Sequence, residues 1–205
     1  MNLQEFERKL GELSDNACIV LYTIIRFLLE HYKYSRIQYP TYKHLHKLIA
    51  AAQYTEDPED TIFQIKPLAI RPFKFIIKYY GVISNDILKV LREELKEYGL
   101  VEIEKVGKIR YVKLSKDLVR MLIRDEVFVI DAIIKRLITK TQGDEYLRLI
   151  MRIERFIKKL IGKFNDNINE FNLEFERSIG LYIKYAFLEK TIEDVLKMRE
   201  SVLGK

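Results

Sequence analysis

The chain has 205 residues, enough for one large domain or two small ones, each with a core. Hydrophobic residues make up 48% and charged residues 32%, a globular balance that excludes a disordered or fibrous chain. The net charge is +6, and 13 basic residues against 7 acidic ones between positions 61 and 120 concentrate that excess mid-chain. Residues 1–60 carry a balance of −2 and residues 121–205 a balance of +2. A local basic field attracts phosphate polymers or anionic surfaces.

A single cysteine, Cys18, rules out an intramolecular disulfide. It lies in the apolar run Ala17–Leu21 and reads as a buried thiol in a cytoplasmic protein. The opening Met-Asn-Leu-Gln-Glu lacks a basic region followed by an apolar one, so no signal peptide is expected. The apolar stretches 17–29, which contains Arg26, and 127–134 are shorter than the ~20 residues of a membrane span, so no membrane partner is expected. Abundant Lys, Glu and Ile with no Trp match the usage of thermophile proteins.

In chain order, residues 2–13 predict a short helix and 16–33 a long apolar one. Tyr39-Pro40-Thr41 starts a third helix, running to about Gln53. The polar stretch Thr55–Asp60 predicts a loop and Thr61–Ile65 a short extended piece. Arg71-Pro72 reads as the start of a helix, Phe73–Tyr80, that stops at Gly81. Ser84 then caps a helix to Tyr98, with Gly99 as its terminator. Leu100–Val106 and Lys108–Leu114 are rich in β-branched residues and meet at Gly107, a hairpin signal. Beyond Ser115 the expected elements are helices over 116–140, 144–162 and 173–202, with a loop at Asn165–Asn169.

Helix, glycine-containing turn, capped helix, glycine and hairpin is the element order of residues 71–114. The turn Tyr79-Tyr-Gly-Val-Ile-Ser84 and the exit Leu95-Lys-Glu-Tyr-Gly-Leu-Val-Glu-Ile103 resemble the winged helix-turn-helix superfamily, over roughly 45 residues. The resemblance implies a mainly α fold with a two-stranded wing. The winged domain with its helical extension spans 1–114, its first helix supplied by 17–33 or 41–53. A C-terminal helical bundle spans 115–205 and is a candidate dimerisation domain. It further implies binding of double-stranded DNA by a homodimer, in transcription regulation or in replication and segregation, in an archaeon, its plasmid or its virus. A winged domain that only assembles proteins is the alternative.

At 100° per residue, Ile87, Leu88, Leu91, Leu95 and Tyr98 share an arc of about 100°, the expected core face. Asn85, Lys89, Arg92 and Lys96 fall within about 60° of one another on a separate stripe, with Asp86, Glu93 and Glu97 beside it. That stripe is the candidate reader of the major groove. Ser84 is the candidate phosphate cap. Lys105, Lys108 and Arg110 on the wing, with Arg71, Lys74 and Lys78 on the preceding helix, are the candidate backbone clamps.

No enzyme is expected. His31, His44 and His46 are the only histidines, and His44 and His46 lie about 200° apart on one helix, so no shared metal follows. There is no glycine-rich phosphate loop and no nucleophile motif, so neither metal nor cofactor is expected.

Overall fold

The computed structural model describes residues 1–55, 68–139, 142–179 and 189–204. The expected loop at Thr55–Asp60 lies outside them beyond Thr55, as does the extended piece Thr61–Ile65. Among the described residues the chain is mainly helical, with two small antiparallel sheets.

Helix α1 (Leu3–Glu12) begins where the Asn2 side chain accepts the Glu5 N–H, and it buries Phe6 and Leu10, one turn apart. Helix α2 (Asp15–Lys33) is capped by Ser14, and from Ala17 to His31 no residue is exposed. Helix α3 (Tyr42–Tyr54) begins with a capping box in which Thr41 and His44 satisfy each other's N–H groups. Here histidine takes the place usually held by Glu or Gln.

The helix expected over Phe73–Tyr80 does not form. Ile76–Lys78 is strand β1, paired antiparallel with β2 (Gly81–Ile83) on one side and β5 (Lys190–Thr191) on the other. Phe73, Phe75 and Ile77 are buried while Lys74 is exposed, a period of two that belongs to a strand. Gly81 therefore does not end a helix. With φ +124 it follows the two-residue tip Tyr79-Tyr80 of a hairpin.

Helix α4 (Asn85–Lys89) continues as a π-helical segment, Val90–Leu95. Gly99 then ends the helical path with φ +66, and the Leu100 N–H returns to the Leu95 carbonyl. Strands β3 (Val101–Val106) and β4 (Ile109–Leu114) pair through six residues a side, with Gly107 (φ +59) in the two-residue turn. Thr41 bridges to Tyr111, and the Val112 N–H donates to the Pro40 carbonyl at 2.8 Å, so the entry to α3 lies along β4.

Helix α5 (Lys116–Ile138) is kinked at Asp125 (φ −134, ψ 36), where one straight helix was expected. Helix α6 (Gly143–Lys163) packs across α2, α3 and α5. Asn165 and Asp166 take positive φ in the predicted loop, and Asn167 caps α7 (Ile168–Ser178). The single helix expected over 173–202 is replaced by α7, the strand β5 and α8 (Ile192–Leu203), with 180–188 outside the described residues.

The N-terminal and C-terminal helices are locked by Arg136 on α5. Its guanidinium donates to the Leu10 and Leu13 carbonyls and to Asp15, at 3.2, 3.0 and 3.2 Å. Arg136→Ala is expected to lower the unfolding free energy by about 2 kcal/mol, because buried acceptors lose a charged donor. Arg120→Ala, at an exposed pair with Asp117, should change it by less than about 0.5 kcal/mol. Denaturant unfolding of the two variants checks this.

Candidate nucleic-acid interface

The α4 helix is held from behind. Both Ser14 donors, N–H and Oγ–H, reach the Glu94 carboxylate at 2.8 Å, and the Lys9 ammonium reaches the Tyr98 carbonyl at 2.9 Å. Ile87, Val90, Leu91 and Leu95 are buried, whereas Leu88 and Tyr98 are half-buried. The sequence predicted Leu88 and Tyr98 on the core face in place of Val90. The π-helical turn shifts the phase, bringing Val90 beneath the helix and rolling Leu88 outward.

The polar stripe survives this shift. Asn85, Lys89, Arg92 and Lys96 are all exposed. Lys89 has a loose 3.9 Å pair with Glu93, and Arg92 and Lys96 form no ion pair among the described residues. The acids beside the stripe divide: Asp86 turns away to accept the Lys74 N–H at 2.9 Å, while Glu93 and Glu97 stay exposed. On the β3–β4 hairpin, Lys105, Lys108 and Arg110 are exposed at the tip. Arg110 lies 5.8 Å above the Tyr42 ring of α3, which links the tip to the helices.

Other expected site residues are placed differently. Ser84 is fully buried, its hydroxyl has no partner, and it makes no side-chain cap, so that hydroxyl cannot meet a phosphate. Arg71, Lys74 and Lys78 lie on or before β1 and not on a helix. Arg71 is engaged by Glu193 at 3.5 Å and stacks on Tyr54, and Lys78 is paired with Glu189. Only Lys74 of these three is exposed without an ion pair among the described residues, at the foot of α4.

Two buried polar groups that the sequence left unassigned set this geometry. The Ser84 N–H donates to His46 Nδ1 at 3.1 Å. Burial, aided by the neighbouring Lys47 charge, pushes the His46 imidazole down to about 4, so it stays a neutral acceptor at the entry to α4. Further along α3, His44 Nδ1 accepts the Thr41 N–H at 3.0 Å, which leaves Nε2 as the protonated nitrogen. That Nε2 lies 3.2 Å from one Asp166 oxygen, His31 Nε2 lies 3.6 Å from the other, and Gln38 donates to the same carboxylate. Burial alone would raise the Asp166 carboxyl. The two imidazoles outweigh it and hold the group well below the usual carboxylate range.

Lys47 is 4% exposed, with its ammonium 5.4 Å from the centre of the Phe175 ring. Burial pushes its amine down to about 8, against the attraction of Glu176 and with the repulsion of Lys43. Among the described residues no group of three or more His, Cys, Asp or Glu is arranged to hold a metal ion, and no helix is long and apolar enough to cross a membrane. No family model, curated protein or solved structure matches this chain.

Two pH effects follow. The folded-state value of Asp166 is depressed, so its stabilisation is present above the unfolded value of about 3.9 and is lost as pH falls below it. Asp166→Asn keeps a residue that tolerates positive φ, and is expected to cost roughly 1–3 kcal/mol at pH 7. That deficit should shrink in acid unfolding measured below about pH 3.9. The folded-state value of Lys47 is also depressed, so its charge is a penalty below about 8. That penalty is relieved as pH rises towards the unfolded value of about 10.4. Lys47→Met is expected to raise stability at pH 7 by up to about 3 kcal/mol, a gain that denaturant unfolding should find fading between those two values.

Proposed function

We propose that the chain is a winged helix-turn-helix protein that binds double-stranded DNA and is not an enzyme. Helix α2, the bridge at Thr41, α3, α4 and the β3–β4 hairpin come in the order that this architecture requires, with strands β1 and β2 standing between α3 and α4. In this reading α3 and α4 form the helix pair, residues 55–83 are inserted between them, and β3–β4 is the wing. The observation that carries the proposal is the exposed stripe Asn85, Lys89, Arg92 and Lys96, on a helix whose opposite face is anchored to α1 and the start of α2.

Helix α4 enters the major groove. Arg92, Lys89 and Lys96 are long enough to reach guanine edges or phosphate, and Asn85 suits adenine. Lys105, Lys108 and Arg110 on the wing and Lys74 at the foot of α4 hold the phosphate backbone. Such a protein serves transcription control or DNA replication and segregation, in the cytoplasm. One observation favours a protein-assembly role instead: Val106 and Ile109, paired across the wing tip, are 56% and 49% exposed.

Binding of random-sequence duplex DNA across a salt series separates the two readings. Counterion release at four to seven cations predicts a log–log slope of roughly −4 to −6 for the native protein. Lys89→Glu/Arg92→Glu/Lys96→Glu is expected to weaken binding at least ~100-fold at ~50 mM salt, and Lys105→Ala/Lys108→Ala to flatten the slope by about 2. Equal binding by the native protein and the triple variant, or no binding by either, contradicts the DNA reading.

A further inference from the structure

The β1–β2 hairpin between α3 and α4 is firmly built. Strand β1 is paired on both sides, by β2 and β5, and Phe73, Phe75, Ile77 and Val82 are buried. Three side chains strap the backbone of this segment. Gln53 accepts the Phe73 N–H at 3.2 Å and donates to the Phe73 carbonyl at 2.7 Å. Asp86 accepts the Lys74 N–H, and His46 accepts the Ser84 N–H. At the tip of this frame stand Tyr79 and Tyr80, 72% and 65% exposed. Two flat rings held in solvent on a fixed support lose little conformational freedom when a ligand meets them.

We propose that this tip is a stacking site for the unpaired bases of a single nucleic-acid strand, separate from the duplex surface of α4. The chemistry of the rings is the first reason. Every base has a π-face, so an aromatic ring takes unpaired bases without regard to sequence. Such a site also needs positive charge beside the rings, for the backbone that joins the bases.

Charge is the second reason. The Lys47 side chain lies under the base of the tip, where a Cβ at Gly81 would meet its Cε at 3.2 Å and its Nζ at 3.3 Å. Lys43, one turn earlier on α3, is exposed, and its charge acts on Lys47. Lys78 is the cross-strand partner of Gly81, and it interacts with Tyr80. Two carboxylates oppose these three cations: Glu189 pairs with Lys78, and Glu176 attracts Lys47. The excess is positive. Lys43 is the cation placed to meet a phosphate, and the buried ammonium adds its field from below.

Placement is the third. Only Gly81–Ile83, about 10 Å of strand, separate the tip from Ser84 and the start of α4. A paired duplex keeps its base faces inside the stack and offers the tip nothing to stack on. The tip and the α4 stripe therefore take different forms of nucleic acid. They share no side chain, so the inference does not rest on the duplex reading.

Titration with a thymidine oligonucleotide of about 12 nucleotides tests the site. The chain has no tryptophan, so Tyr80→Trp installs a single reporter. Its emission should be quenched by the oligonucleotide and not by inorganic polyphosphate, which brings the charge without the bases. The quench should persist when Lys89→Glu/Arg92→Glu/Lys96→Glu is added, which separates this site from the duplex surface. Tyr79→Ala/Tyr80→Ala should weaken single-strand binding at least ~10-fold at ~50 mM salt. Its melting profile should not change, since both side chains lie outside the core. Tyr32→Ala/Tyr34→Ala, at the exposed pair that ends α2, should leave the affinity as it was. Lys43→Ala should flatten the log–log salt slope by about 0.7. A uridine oligoribonucleotide in the same titration tells DNA from RNA by its relative affinity. No single-strand binding by the native protein would overturn the proposal. So would quenching by polyphosphate, or a Tyr79→Ala/Tyr80→Ala variant that binds within ~2-fold of the native protein.

Discussion

The burial of α2 is the constraint on which the rest of the molecule depends. Fifteen consecutive residues, Ala17 to His31, have no exposed member, so this helix must be covered on every side. The coverage comes from five directions: α3, the α4 helix with its π-helical segment, β4, α5 and α6. Each cover presents apolar residues inward, and α3 and α6 also bury polar side chains, His44, His46, Lys47 and Gln53 on the one and Arg148 and Arg152 on the other. The polar stripe of α4 is thus a consequence of what its other face must do. Glu94 reinforces this, because its carboxylate holds both donors of Ser14, the residue that caps α2. The same side chain that begins the central helix fixes the orientation of the exposed one.

The interior polar groups work in the same direction. His46 and His44 leave α3 on different sides: one receives the backbone N–H of Ser84 at the start of α4, and the other reaches Asp166 in the turn between α6 and α7. Helix α3 is thereby tied to both ends of the chain's architecture. The buried Ser84–His46 hydrogen bond adds little net stability, but leaving either partner unmatched is costly, so it specifies position. The acids Glu94, Glu189 and Glu193 are spent on internal partners, Ser14, Lys78 and Arg71. Among the described residues, what remains unpaired on the α4 and wing surface is mostly positive: Arg92, Lys96, Lys105 and Lys108.

Much of this was legible in the sequence where a single period dominated. The helix start at Thr41, the helix beyond Ser115 and the glycines at 99 and 107 mark real boundaries. The failure at 73–80 has a local cause. Phe-Lys-Phe-Ile-Ile-Lys-Tyr-Tyr offers apolar residues at both helical and strand spacing, and Pro72 and Gly81 suit either. The choice was made by partners distant in sequence, Val82 and Lys190-Thr191, which the local pattern does not contain. That error also put Arg71, Lys74 and Lys78 on a helix and Ser84 in an exposed cap. The stripe on α4 was found because exposure follows helical phase, and a π-helical turn moved Val90 and Leu88 without disturbing Lys89, Arg92 or Lys96. The His31–Asp166–His44 contact had no sequence signal, since its members are 135 positions apart at the extremes and belong to no spacing rule.

The central claim is that DNA meets the α4 stripe and the wing. Titrating a duplex into uniformly 15N-labelled protein, and following the backbone amide shifts, tests this most directly. The account predicts progressive shifts at Asn85 to Lys96 and at Lys105 to Arg110, fading as salt is raised, with the amides of Ala17 to His31 unmoved. Shifts that leave those two segments unchanged, or that gather at the exposed tip Tyr79-Tyr80 or along α5, would contradict it.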